Sequence, residues 1–147
     1  MFAATLEDVI DRLEERLKAL SPDGTALDVL TRMAAEMLDF VDEHQDFLIQ
    51  FSRATPNLCG KRAGTALQQR YSEHLRFLSD KIARCVKDGS VRAHDSTLGS
   101  LFFTSLVRIF MLQKVMGRTK GALRPKSSQF MDLFLHGLGA PRTAPHA

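Results

Sequence analysis

The chain has 147 residues, 44% hydrophobic and 25% charged, with a formal net charge of +3. That length suits one domain with a sizeable core, and the composition is ordinary for a globular protein. The positive excess is weak and scattered, which is no clustered nucleic-acid footprint, and two cysteines, Cys59 and Cys85, make no metal-binding spacing.

No secretory signal is visible, because the first residues lack a basic start followed by an apolar run. Arg108 and Lys114 interrupt the longest apolar stretch, so no membrane span is expected. The expectation is a cytoplasmic protein with two reduced thiols.

The first helix is expected from Thr5 to Leu20. Thr5 and Asp8 have the form of a capping box, Leu6, Val9, Ile10, Leu13, Leu17 and Leu20 recur at helical spacing, and Ser21-Pro22-Asp23-Gly24 stops the run. Thr25 and Asp28 repeat the capping form. A second apolar face follows through Leu27, Leu30, Ala34, Met37, Leu38 and Val41, before Asp42-Glu43-His44 and Asp46 break it as a solvated turn. A short apolar helix is expected around Phe47–Ala54, then a loop over residues 55–64. Residues 65–88 read as a long amphipathic helix with Leu67, Tyr71, His74, Leu75, Leu78, Ile82, Cys85 and Val86 inward, closed by Gly89 at a left-handed C′ position. Asp95 can N-cap the next helix.

That next helix, Ser96–Met116, is apolar nearly all round. Leu98, Phe102, Leu106, Ile109, Phe110 and Met116 share one broad face, and Leu101, Met111, Leu112 and Val115 point largely away from it. Leaving the second set in water forfeits roughly 6–12 kcal/mol, an upper figure. A basic loop with Arg118, Lys120 and Arg124 leads to a last helix from Ser127 or Ser128, carrying Phe130, Met131, Leu133, Phe134, Leu135 and Leu138 and again apolar over most of its circumference. Residues 140–147 read as a tail. Six helices and no strand make the class all-α. Two copies of the last helix pair, forming a four-helix bundle, bury both excess faces, and one patch pairing with itself is the commonest form of oligomer. The expected homodimer face is Leu101, Thr104, Arg108, Met111, Leu112 and Val115 with Phe130, Leu133, Phe134 and Leu138.

Lys87-Asp88-Gly89-Ser90-Val91-Arg92-Ala93-His94-Asp95, closing one helix and opening an apolar one, and Phe130-Met131-Asp132-Leu133-Phe134-Leu135-His136-Gly137-Leu138 near the end together resemble the C-terminal regulatory domain of TetR/AcrR-type transcriptional repressors. The resemblance covers residues 1–139. It implies a six-helix domain that dimerises through its last two long helices and holds a small apolar or amphipathic effector. It also implies that the first helix moves a DNA-reading domain. The family's N-terminal helix-turn-helix is absent from this sequence, so operator DNA is expected to be a partner only through a part that this chain lacks. A fragment cut just before the linking helix is the favoured explanation.

On that resemblance the effector pocket is expected among Met33, Met37, Phe40, Phe47, Phe51, Tyr71, His74, Phe77, Phe103, Phe110 and Gln113. Methionine and phenylalanine suit an apolar cavity of variable shape, and Tyr71 and His74 can offer polar contacts. No metal or cofactor is expected, since no histidine pair has H-x-x-x-H spacing. No catalytic motif is present, so no enzyme is expected. The alternatives are a helical interaction module with a filled core and no effector, or a small-lipid carrier.

Overall fold

The computed structural model describes residues 2–46, 65–117 and 120–139. Those residues form five α-helices and no strand. They are α1 (Phe2–Lys18), α2 (Ala26–Glu43), α3 (Thr65–Lys87), α4 (Ser96–Val115) and α5 (Ser127–His136), with a 3-10 turn at Arg124–Lys126 leading into α5. The short helix expected around Phe47–Ala54 and the loop after it lie outside the described residues.

Local sequence chemistry sets most of the boundaries. The Thr25 hydroxyl accepts the Asp28 N–H at 3.1 Å and the Asp28 carboxylate accepts the Thr25 N–H at 3.0 Å, so the expected capping box opens α2. Asp95 caps α4 by accepting the N–H groups of Thr97 and Leu98 at 2.8 and 3.4 Å. Gly89 takes φ +87° after α3, and the Val91 N–H returns to the Cys85 carbonyl at 3.1 Å. The start of α1 departs from expectation. The helix is already running at Phe2, which places Thr5 inside it and not at its cap. Phe2-Ala3-Ala4 offers no breaker, and alanine is the best helix former.

α2 sits at the centre and packs against every other described helix and the 3-10 turn. Its inward face, Leu30, Met33, Ala34, Met37, Leu38 and Val41, joins Leu78, Ile82 and Cys85 of α3, Phe103, Leu106, Val107, Phe110 and Met111 of α4, and Phe130, Met131 and Phe134 of α5 in one core. Phe103 meets Phe130 edge-on at 4.9 Å and Phe134 at 5.1 Å, tying α4 to α5.

Two polar clusters lock the ends of this core. Arg16 of α1 bonds Glu36 at 2.7 Å and also reaches Glu43 of α2, with its guanidinium over the Phe40 ring. Arg124 reaches Glu36 and Asp39 from the 3-10 turn, at 3.3 and 3.1 Å. Asp42, expected in a solvated turn, instead lies in the last turn of α2 and is half-buried. It pairs with Lys114 of α4 and accepts the buried Leu123 N–H at 2.7 Å. A carboxylate in the polar patch after an apolar run carries no sequence sign of a partner some eighty positions away.

Truncating Asp42 strands both partners. Asp42→Ala is expected to cost about 2–3 kcal/mol, because an unmade bond to a buried N–H forfeits its full desolvation. Asp42→Asn keeps an acceptor for Leu123 and loses only the ion pair, so it costs less than half as much. Urea unfolding of the two variants measures the difference.

Candidate ligand cleft and dimer face

Burial splits α4 lengthwise. Phe103, Leu106, Val107, Phe110 and Met111 face the core, while Leu98, Leu101, Phe102, Ile109, Leu112, Val115 and, just past the end, Met116 are each 40% exposed or more. The exposed set recurs at i, i+3, i+4 and i+7, interrupted by Ser105 and half-buried Arg108. It forms an apolar stripe in two stretches, either side of Ser105 and Arg108, along a helix of 20 residues, about 30 Å. By length and composition Thr97–Val115 is long and apolar enough to cross a membrane, despite the two cations in it. Its packing against α2, α3 and α5 makes it a core helix with one uncovered side.

Burial divides the residues expected on the dimer face. Leu101, Leu112 and Val115 are exposed on the stripe, Leu138 is 92% exposed after α5, and Thr104, Arg108 and Leu133 are half-buried. Met111, Phe130 and Phe134 lie in the chain's own core. The outer side of α5 is polar, with Ser128, Gln129, Asp132 and His136 exposed. Leu98, Phe102, Ile109 and Met116, placed from the sequence on the face opposite Leu101, Leu112 and Val115, share the stripe with them. A helix apolar on both sides gives no local sign of which side turns in, and packing against α2, α3 and α5, with the aromatic contacts of Phe103 and Phe110 on α5, decides it here.

The residues expected around an effector do not gather in one place. Met33, Met37, Phe103 and Phe110 are closely packed in the main core. Phe40 is buried under Arg16 and stacks on His44 at 4.1 Å. Tyr71 joins Ile10 and Leu67 in a second, smaller cluster. Phe77 lies at the rim between the ammonium groups of Lys18 and Lys81, and Gln113 is exposed. Phe47 and Phe51 lie outside the described residues. His74 is 5% exposed, its Nδ1 has no hydrogen-bond partner among the described residues, and burial lowers its pKa to about 4. The buried Thr104 hydroxyl also lacks a partner among them. Among the described residues no group of three His, Cys, Asp or Glu stands ready for a metal ion. Burial, with Asp88 adding to it, pushes the Cys85 thiol up to about 11 against the bond from Ser90, which leaves it unreactive.

A cleft of about 1050 Å³ opens where sequence reasoning placed no site, between the head of α4 and the tail of α5. Its walls come from the turn after α3 (Ser90, Val91, Arg92, His94), from Leu98, Gly99 and Phe102, and from Asp132, Phe134, Leu135 and His136. The Phe102 and Phe134 rings stack at 5.6 Å within it. The His94 ring is seated by its Nδ1 on the Arg92 carbonyl at 2.8 Å and by Nε2 against Gly99. A glycine inside a helical pattern was the one available sign of this close approach.

That seat has a measurable signature. A methyl group at residue 99 collides with the imidazole, whereas alanine in a helix is otherwise favoured by about 1 kcal/mol over glycine. Gly99→Ala is expected to destabilise the native protein yet stabilise the His94→Ala background. A coupling of at least about 1 kcal/mol in the thermal or urea double-mutant cycle is the expected result.

No family model matches the chain, and no curated protein matches it.

Proposed function

We propose that this chain is the homodimerising, ligand-sensing domain of a TetR-like transcriptional regulator. The uncovered stripe on α4 carries the reading. Its seven large apolar side chains expose on the order of 600 Å², at the top of the range for a monomer's largest patch and close to the ~800 Å² each partner contributes to a standard interface. The spacing suits a second copy. Leu98 and Met116, Phe102 and Leu112, and Ser105 and Ile109 stand in pairs equally far before and after Val107. An antiparallel twofold crossing at that level lays each residue on its mate, with small Ser105 making room for Ile109.

Sensing rests on the cleft, which opens beside that face. In the proposed mechanism a ligand favours one arrangement of the helical body, and only its differential affinity for that arrangement shifts the paired DNA-reading parts. α1, latched to α2 through Arg16, is the connection to them. Sedimentation equilibrium of this chain and operator release by a protein carrying the DNA-reading part test the proposal. A dimeric mass with ligand-dependent release supports it; a monomer at high concentration, or DNA affinity indifferent to every ligand, overturns it. The packing of Met33, Met37, Phe103 and Phe110 favours a second reading, a dimerisation module without effector. Thermal shifts against apolar and amphipathic compounds separate the two.

A further inference from the structure

We infer that the cleft is a binding site for a small amphipathic carboxylate and that the second copy completes it. The inference rests on the dimer proposed above. The volume, about 1050 Å³, is that of a site for a drug-sized molecule. The lining is divided. The stacked rings of Phe102 and Phe134, with Leu98 and Leu135, make an apolar floor. Arg92 is exposed on the rim, and its guanidinium has no ion-pair partner among the described residues. A guanidinium grips a carboxylate through two parallel N–H bonds. Asp132 of α5 also lines the cleft, so a head with a single negative charge suits it better than one with two.

Leu98 and Phe102 belong to two surfaces at once. They line the cleft, and they begin the α4 stripe. In the antiparallel crossing, Met116 and Leu112 of the second copy come down on them. Met116 is 66% exposed in the single chain, and an unbranched thioether side chain adapts to whatever lies beneath it. A carboxylate with an apolar tail therefore touches both copies, and occupancy and dimerisation strengthen each other by the same factor.

Decanoate is the probe, with decanol as its uncharged counterpart, in sedimentation equilibrium and titration calorimetry. Decanoate is expected to bind saturably and to tighten the dimer about tenfold or more. Decanol produces a much smaller shift, and Arg92→Gln removes most of the effect of decanoate while leaving the unliganded dimer as it was. A wild-type chain that stays monomeric overturns the dimer itself. A wild-type dimer that ignores decanoate, or that responds equally to decanol and in Arg92→Gln, leaves the dimer standing and overturns the shared site.

Discussion

If the proposed dimer forms through the α4 stripe, Ile109→Lys is expected to turn it into a well-folded monomer. Ile109 is 50% exposed in the single chain, so a lysine there reaches water and leaves the fold nearly as stable as before. In the dimer proposed above the same position would lie close to the twofold axis, opposite Ser105, and two added ammonium groups would meet two copies of Arg108. No aspartate or glutamate occurs anywhere from Ser96 to Met116, so the helix itself offers no counterion. Burying the two added ammonium groups without partners costs a few kcal/mol. A total near 4 kcal/mol weakens the dimer about a thousandfold. Ala83→Lys on the exposed side of α3 adds the same charge away from the stripe and leaves the association unchanged. Sedimentation equilibrium reads both. An Ile109→Lys chain that dimerises like the parent places the interface elsewhere.

The parts of the fold legible in the sequence are those decided within one or two helical turns. The Thr25–Asp28 box, the Asp95 cap and Gly89 are local chemistry, and each acts where its residue types put it. Amphipathic α2 and α3 turn their apolar sides inward because one side of each is polar. Legibility fails where two solutions are locally equivalent. α4 satisfies the core with either side, and its packing against α2, α3 and α5 together turns Phe103 rather than Phe102 into the core. The same choice decides which aromatic residues are left to form a surface. The apolar helix that draws the eye in the sequence is also not the hub; α2 is, because its apolar face joins the core while its carboxylates Glu36, Asp39 and Asp42 find cations on α1, the 3-10 turn and α4. The cleft was illegible for a related reason. It is made by the turn after α3, the head of α4 and the tail of α5, which come together only through tertiary packing. Single residues there looked like turn and cap chemistry, and Asp42 like surface.

His74 sets the largest pH effect expected of the fold. It is a neutral, desolvated imidazole with one nitrogen unpartnered among the described residues, and its pKa falls to about 4, against about 6.5 for an exposed histidine. Between those values the unfolded chain holds a proton that the folded chain refuses. Stability therefore rises with pH across this window. It is undiminished by this residue above about pH 6.5 and falls as the pH drops, by about 3 kcal/mol once pH 4 is reached. The carboxylates with lowered pKa act in a different window. Asp28, held down by the Thr25 N–H, and Asp88, held down by the Ser90 hydroxyl, surrender their contributions only as the pH falls through values below the ordinary carboxylate range. His74→Leu removes the titration and keeps an apolar side chain in the site. Its urea-derived stability is expected to be nearly flat from pH 6.5 to 4, while the parent loses about 3 kcal/mol over the same span. Because the comparison is between slopes, a constant packing penalty in the variant does not disturb it. Parallel slopes for the two proteins show that the imidazole finds a proton-stabilising partner in the folded chain, and the buried neutral state is then wrong.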